Sequence, residues 1–476
     1  MGNNFVKSRR DFIKKIACTG AGMTALPSSF LGMQSMYSLL QSNNLMNDCQ
    51  DYKALVCVYM FGGNDGFNTL IPKGTAEYAE YAKSRGNLAI PQSEILSISP
   101  LINASGRTLG LHPNMSGVQK LFNDSKLSFI SNIGTLTKPN TSQFDYQQHK
   151  IPSQLFSHYD QTLQWQTGTS ISKSRLGWAG NISDLLMDCN TNKNIPLNVS
   201  LGGNNTFQTG KDTSFFSASS RGINLLRGIG YHNQNGLVGS KTEAVRSLFN
   251  HTYDDVLCDT YTTKFNNGIE SNQILYEKLR DLELAGGLQS QFSIAESGFS
   301  LSADLKLVSE MISLRNVLGM KRQIFFVNVP AFDQHDNLLI DHGRRMEIID
   351  KGLSEFYPAL KELGVEDKVI TFTMSDFGRT LTSNGDGSDH GWGSNVMVMG
   401  DAIQGQNIYG NYPSLALGNP LDIGRGAIIP TTSSVSYFAE LASWFGIPRG
   451  DLNTIFPELS SFWDSSSPQF PIQFIK

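Results

Sequence analysis

Residues 54–72 read ALVCVYMFGGNDGFNTLIP, an apolar run that passes directly into a glycine-rich turn. Such a run, bounded by turn residues, is typical of a strand buried on both faces, as in a parallel sheet. Open α/β sheets place their sites just past the carboxyl ends of strands, where glycine allows sharp turns and close approach. The stretch therefore predicts a site at Asp65, whose carboxylate would bind a metal ion. The alternative interpretation is a turn in which Asn64 and Asp65 cap a helix.

The composition indicates a globular protein that does not bind nucleic acid. The 476 residues carry a formal net charge of -4, so the basic surface that nucleic acid requires is missing. After the N-terminal segment, no run approaches the roughly 18 apolar residues of a membrane span. The turn at residues 62–66 lacks the GK[ST] ending of a phosphate-binding P-loop. The length suits one large α/β domain with insertions, or several smaller ones.

The N-terminus has the form of a twin-arginine export signal. Residues 8–15 read SRRDFIKK, and a weakly apolar run of small residues follows at 16–31. We therefore expect the twin-arginine export machinery to be a partner and the location to be periplasmic or extracellular. This route carries folded proteins, often with a metal already inserted. The predicted division is a signal and linker at residues 1–47 and a domain at 48–476, with an insertion or cap around 202–320.

The cysteines do not form a thiolate metal site. The five cysteines include no CxxC pair, which argues against a zinc site of that type. In an oxidising compartment, a disulfide between Cys189 and Cys258 is compatible with the sequence.

Acidic and histidine residues follow other predicted strands as well. The strand predicted over residues 323–329 is followed by Asp333 and His335, and the strand predicted over 368–374 is followed by Asp376. A later glycine-rich loop supplies one of the chain's eight histidines. Carboxylates and imidazoles held by several rigid elements are suitable ligands for divalent ions. We expect one or two ions of zinc, manganese, calcium or magnesium. The predicted metal ligands are Asp65, Asp333, His335, Asp376 and His390.

Two further residues would complete a hydrolytic site. Ser157 begins a predicted helix, and its hydroxyl could be a nucleophile beside an anion held by the helix N-terminus. Arg379 could hold an oxyanion through two hydrogen bonds. Two ions about 4 Å apart would hold the attacking and leaving oxygens of an in-line displacement. Simple helix capping also explains Ser157, and Ser153 and Thr69 are alternative nucleophiles.

Several motifs resemble the family called domain of unknown function 1501. In chain order they are GGNDGFNTLIP, LHPNM, SHYDQTLQWQTG, FDQHDN, SDFGRT, DHGWG and YGNYPSL. The resemblance covers nearly the whole chain after the signal. That family is similar to the alkaline phosphatase and sulfatase superfamily. The resemblance implies an α/β fold, an alkaline-phosphatase-like three-layer sandwich with a mostly parallel central sheet and helices on both faces.

The same resemblance implies roles for the candidate residues. The superfamily order is a first-strand acid, a nucleophile that begins a helix, an Asp–His pair, a further acid and a late histidine. The corresponding residues here are Asp65, Ser157, Asp333 with His335, Asp376 and His390. Phe377 stands where the alkaline phosphatase branch has a histidine. The second metal site is therefore reduced, or a single ion binds.

The function that follows is an exported, metal-dependent hydrolase of phosphate or sulfate esters. Its substrate would be a small-molecule or saccharide ester. The alternative is a non-catalytic binding or assembly protein of the cell envelope that keeps the same scaffold.

Overall fold

The computed structural model describes residues 49–171, 174–219, 236–251, 253–295 and 299–476. The predicted twin-arginine signal at residues 8–31 lies outside the described residues. In the described part of the chain, no helix is both long and apolar enough to cross a membrane.

Most of the described strands belong to one central sheet. The strands are β1 Lys53–Met60, β2 Leu70–Pro72, β3 Leu96–Ser97, β4 Ile102–Asn103, β5 Leu109–Leu111, β6 Leu127–Gly134, β7 Asn198–Ser200, β8 Phe215–Ser217, β9 Arg322–Val329, β10 Val369–Ser375, β11 Arg379–Ser383, β12 Ser388–His390, β13 Ser394–Met399, β14 Asn407–Tyr409 and β15 Thr432–Ser433. The sheet has ten strands in the order β4-β14-β6-β13-β10-β1-β9-β7-β8, with β15 beside β6. Among these strands, β13 alone is antiparallel to its neighbours. The prediction of a mostly parallel sheet is confirmed.

Helices cover both faces of this sheet. The described α-helices are α1 Gly66–Thr69, α2 Thr75–Arg85, α3 Ser116–Asn123, α4 Gln143–Gln147, α5 His158–Thr167, α6 Trp178–Leu186, α7 Gly236–Phe249, α8 Val256–Leu284, α9 Leu301–Ser313, α10 Leu338–Glu362, α11 Ser434–Phe445 and α12 Leu452–Ile455. Alternate residues of β1 enter different cores, because successive side chains of a strand point to opposite faces. Val56 and Val58 pack with α9 and α10, whereas Leu55 and Cys57 pack with α6 and α11. The three-layer sandwich predicted from the sequence is therefore confirmed.

The range predicted as an insertion or cap contains parts of the sandwich itself. Within residues 202–320, β8 pairs with β7 in the sheet and α9 packs against α10. The helices α7 and α8 contact each other, and α8 also contacts α9. An insertion or cap function for this range stays a prediction.

The disulfide differs from the pairing that we considered from the sequence. Cys189 is bonded to Cys49, and the two Cα atoms lie 5.4 Å apart. Cys258 is exposed and free, in the first turn of α8. The Cys189–Cys258 pairing is therefore wrong, because the chain brings the start of the domain, and not α8, to Cys189.

Candidate metal centre

Three parallel strands end level with one another at the edge of the sheet that carries the site. Met60 of β1 is paired with Val329 of β9 and with Ser375 of β10. Asp333 and Asp376 follow β9 and β10 within a few residues. The register of the sheet therefore places these two acids at the same edge.

Two other segments bring histidines to this edge. The hairpin of β11 and β12 pairs Arg379 with His390 just after β10. The helix α5 begins at His158, with Ser157 as its N-cap. The rings of His158 and His390 have centroids 4.4 Å apart, and both lie within 5 Å of the Phe377 ring. The bulky phenyl group thus fills one side of the histidine pair.

Three imidazole nitrogens converge on one carboxylate. Nε2 of His158 lies 3.3 Å from Oδ2 of Asp333. Nε2 of His335 and of His390 lie 3.0 and 3.2 Å from Oδ1 of Asp333. The two nitrogens of His335 and His390 are themselves 3.0 Å apart. We call these four residues the histidine–aspartate cluster.

The outer nitrogen of each imidazole faces an oxygen atom. The three pairs are His158 Nδ1 with Asp376 Oδ2 at 2.8 Å, His390 Nδ1 with the Phe156 carbonyl at 2.7 Å, and His335 Nδ1 with Asp389 Oδ1 at 3.5 Å. A neutral imidazole that donates from Nδ1 has its lone pair on Nε2. In the tautomer that donates from Nδ1 to these oxygens, each inner nitrogen presents a lone pair to a carboxylate that also only accepts. These acceptor atoms repel one another unless a cation lies among them.

The ligand atoms suit a divalent metal ion. One nitrogen each of His158 and His390 and one oxygen of Asp333 all lie within 4.8 Å of one another. Metal-binding histidines characteristically donate their other N–H to a carboxylate or a carbonyl, as Asp376 and Phe156 accept here. Nitrogen ligands favour zinc and similar ions, whereas calcium and magnesium prefer oxygen.

The protonation of the cluster follows from its surroundings. Partial burial opposes ionisation of Asp333, but the hydrogen bond and charge of Arg379 hold the pKa of its carboxyl below the usual range. Burial lowers the pKa of His390, so that its neutral form is favoured. The hydrogen bond to Asp376 raises the pKa of His158. Metal binding requires the neutral imidazole, so protons compete with a metal ion for His158.

Arg379 is buried and orients Asp333. Its Nη2 donates to Oδ1 of Asp333 at 2.5 Å. Its guanidinium also donates to the carbonyls of Gly62, Gly63, Phe332 and Ser388. With its nitrogens committed to these acceptors and its side chain fully buried, Arg379 has no free fork for an oxyanion. Its arrangement fits a positioning role in place of the predicted oxyanion role.

Asp65 pairs with a residue outside the histidine–aspartate cluster. Its buried carboxylate forms an ion pair with Arg85 of α2. Arg85 also donates to the carbonyls of Thr380 and Leu381 in β11. Asp65 is the N-cap of α1, although its side chain makes no capping hydrogen bond. The carboxylate is thus tied to a cation, and not grouped with the other predicted ligands.

Asp376 supports the cluster from behind. Its Oδ2 contacts Nδ1 of His158 and accepts a hydrogen bond from the backbone N–H of Gly62 at 3.1 Å. The predicted ligands Asp333, His335 and His390 do come together, whereas Asp376 reaches the cluster through His158.

Ser157 is occupied by helix capping. Its hydroxyl donates to Oδ2 of Asp160 at 2.7 Å and accepts from the Asp160 backbone N–H. The alternative Thr69 is buried, and its hydroxyl donates to the Asp65 carbonyl. The backbone carbonyl of Ser153 accepts a hydrogen bond from Nε2 of Gln164 at 2.8 Å. None of these observations places a protein nucleophile in the cluster.

His158 is the residue that the sequence-based ligand set missed. It directly follows Ser157 in the motif SHYDQTLQWQTG. Its position after a long polar loop and at the first turn of a helix was the available signal. A helix start positions a side chain rigidly at the edge of a loop-lined site.

A cleft of about 420 Å³ opens beside the cluster. His158, Asp333 and Asp376 contribute to its wall. A small molecule in this cleft could therefore reach the atoms that would bind a metal ion.

Comparisons with known proteins found one matching family model and several solved structures of low similarity. The family model described as "Protein of unknown function (DUF1501)" matches residues 52–423. No curated protein matches the sequence.

Three solved structures are similar to this chain at low identity. A protein in the alkaline phosphatase superfamily from Vibrio parahaemolyticus is 11% identical, with 87% of this chain and 75% of that chain covered and a TM-score of 0.35. The lipoteichoic acid synthase LtaP from Listeria monocytogenes is 11% identical, with 86% and 79% covered and a TM-score of 0.31. The PsFucS1 sulfatase from Pseudoalteromonas sp. is 10% identical, with 86% and 74% covered and a TM-score of 0.30.

Proposed function

This chain belongs to the protein family of unknown function DUF1501, and we propose that it is an exported, metal-dependent hydrolase of phosphate or sulfate esters. The observation that carries the proposal is the convergence of three imidazole nitrogens on Asp333 beside an open cleft. His158, Asp333 and His390 would hold one ion, with His335 as a further ligand. Zinc suits this histidine-rich ligand set better than manganese, calcium or magnesium.

The protein's own groups would prepare this site for hydrolysis. When bound, the ion supplies Lewis-acid polarisation of the ester and activation of water. Asp376 and the Phe156 carbonyl orient His158 and His390, and Arg379 keeps Asp333 ionised. In the overall reaction, a water oxygen bonds to phosphorus or sulfur, and the ester bond breaks with its electron pair on the alcohol oxygen. The alcohol takes up a proton, and inorganic phosphate or sulfate is released.

Metal content and turnover test the proposal together. Protein purified after native export is expected to contain about one transition-metal ion per chain and to hydrolyse an aryl phosphate or an aryl sulfate. Asp333→Asn and His390→Ala are expected to lower both the metal content and kcat/KM. His251→Ala, at an exposed position, is the matched control and should leave both unchanged. Metal-free protein without turnover would contradict the proposal. So would a metal content that is the same in Asp333→Asn, in His390→Ala and in the wild type.

One observation favours a second candidate, a non-catalytic protein with a structural ion. Structural zinc sites use four protein ligands, whereas catalytic sites keep an open position. Three histidines and Asp333 could fill all four positions, and the hydroxyl of Ser157 is engaged elsewhere. Stoichiometric metal together with a complete lack of turnover of aryl phosphates and sulfates would support this candidate.

Export is the second part of the proposal. The SRRDFIKK motif supports the twin-arginine route, and a disulfide between Cys49 and Cys189 fits an oxidising compartment. Replacing Arg9 and Arg10 by lysine is expected to retain the protein in the cytoplasm, as measured by cell fractionation. The control replaces Lys14 and Lys15 by arginine, which keeps the charge and the arginine pair. Unchanged export of the twin-lysine variant would exclude this route.

A further inference from the structure

The cleft beside the histidine–aspartate cluster has largely apolar walls. Phe61 and Leu163 line it, and Tyr159 stands at its rim with 75% of its surface exposed. The ring of Phe61 is supported by Tyr59, whose centroid lies 4.3 Å away. Rigid aromatic and aliphatic walls favour a flat or ring-shaped group over a flexible polar chain.

The described residues that line the cleft include no lysine or arginine. Their formal negative charges are the carboxylates of Asp333 and Asp376. Arg379 lies behind Asp333 and donates to that residue and to backbone carbonyls. A second anionic group on a ligand would therefore find no lysine or arginine side chain to pair with in the described wall of the cleft.

Uncharged polar groups supply the remaining contacts in the cleft. The Oε1 atom of Gln166 accepts hydrogen bonds from the backbone N–H groups of Thr206 and Phe207, at 2.9 and 3.2 Å. These bonds identify the other end of the Gln166 amide, Nε2, as the NH2 group, which is a hydrogen-bond donor. Thr162 and Thr206 line the same wall. Amide and hydroxyl groups of this kind suit hydroxyl or ether oxygens, and they contribute no net charge.

We infer that the substrate is an ester whose anionic group binds at the cluster and whose alcohol part, in the cleft, is an uncharged ring. Aryl and neutral glycosyl esters meet this description, whereas nucleotides and substrates with a second phosphate or a carboxylate do not. The inference rests on the proposed hydrolase function and names the substrate class for the same site.

Matched substrates test this selectivity. Two aryl esters that differ only by a carboxamide or a carboxylate at one ring position are compared by kcat/KM with the metal-loaded protein. We expect about a tenfold preference for the uncharged carboxamide, because the wall would remove water from a carboxylate without offering it a cation. Leu163→Lys, at a half-buried position of the wall, should reduce this preference. Leu284→Lys, at the exposed end of α8, is the control and should preserve it.

Binding provides a readout that does not require turnover. Calorimetry with arylphosphonates carrying the same two substituents should show the same preference in the metal-loaded protein, and Leu163→Lys should weaken it. If Leu163→Lys does not fold, Thr206→Lys introduces a cation in the same wall. Equal kcat/KM and equal affinity for both substituents would overturn this inference alone. If no ester is turned over, the hydrolase proposal fails, and the phosphonate affinities decide whether the cleft still selects an uncharged ring.

Discussion

At the level of single residues, Asp376 affects the histidine–aspartate cluster through its contact with His158. Its Oδ2 lies 2.8 Å from Nδ1 of His158 and accepts from the backbone of Gly62. The carboxylate is almost completely buried, which keeps this contact away from competing water. Asp376 thereby orients the His158 imidazole within the cluster.

Asp376→Asn is therefore expected to weaken metal binding without abolishing the site. Loss of a carboxylate behind a metal-binding histidine typically reduces affinity by about 10- to 100-fold. Competition with a chromogenic chelator measures the change in zinc affinity. Asp341→Asn, in a surface ion pair with Arg344, is the control. Wild-type affinity in Asp376→Asn would show that His158 needs no such support, or that it does not bind the ion.

Two buried histidines outside the cluster have a separate consequence for stability. Burial lowers the pKa of His342 to about 3, and the charges of Arg85 and Arg379 act in the same direction. Burial and the nearby His342 also lower the pKa of His112 to about 3. Nε2 of His342 contacts Oδ1 of Asn64 at 3.1 Å. The folded protein thus keeps these imidazoles neutral where the unfolded chain binds protons.

The free energy of unfolding is expected to fall as the pH falls from about 6.5 towards 3. At pH 5.5, the loss is about 1.4 kcal/mol for a histidine whose unfolded-state pKa is about 6.5. His342→Gln keeps a donor for Asn64 and should remove about this much of the decline between pH 7.5 and 5.5. Urea unfolding of the metal-free protein at both pH values measures this change in the free energy of unfolding. His251→Gln, at an exposed position, is the control. Identical pH dependence in His342→Gln and wild type would refute this origin.

At the level of elements, the turn after β1 must pass very close to the turn after β9. Gly62 has φ +114°, a conformation that side chains rarely adopt. A Cβ atom on this residue would lie 2.3 Å from the backbone nitrogen of Asp333. The absence of a side chain therefore lets β1 and β9 deliver their turns to a single site.

Gly62→Ala is expected to displace Asp333 and to destabilise the fold. A strained φ and a backbone clash together cost about 2–4 kcal/mol. Gly268→Ala is the matched control, because its Cβ in α8 would meet nothing within 4 Å. That change should stabilise by up to about 1 kcal/mol. Urea unfolding and zinc affinity measure both effects. Unchanged zinc affinity in Gly62→Ala would mean that the site does not require this close approach of the turns after β1 and β9.

At the level of the whole molecule, the disulfide joins the start of the domain to the end of α6 and its following turn. Cys49 and Cys189 are separated by 140 residues. A cross-link over so long a loop restricts the unfolded chain strongly. Cys49→Ser is therefore expected to lower the free energy of unfolding by about 2–5 kcal/mol under oxidising conditions. Cys258→Ser should have no such effect, because Cys258 is free and exposed. Equal losses in the two variants would contradict this assignment.

Much of the fold could be predicted from local sequence patterns. The apolar runs before Asp333 and Asp376 identified buried strands, because residues buried on both faces of a parallel sheet are apolar without interruption. The polar residues after those strands then identified the edge that carries the site. The antiparallel direction of β13 was not predicted, because a buried strand has the same apolar pattern in either direction.

The roles of individual side chains depended on partners far away in the chain. Asp65 and Asp333 both follow a strand, yet Asp65 meets Arg85 of α2, whereas Asp333 meets one imidazole from its own loop and two from other segments. The local sequence pattern predicts where a residue lies in a strand or turn, because secondary structure depends on residues that are near in the sequence. Charge pairing and the convergence of ligand atoms depend on how distant segments pack, so His158 became part of the cluster only in the folded chain.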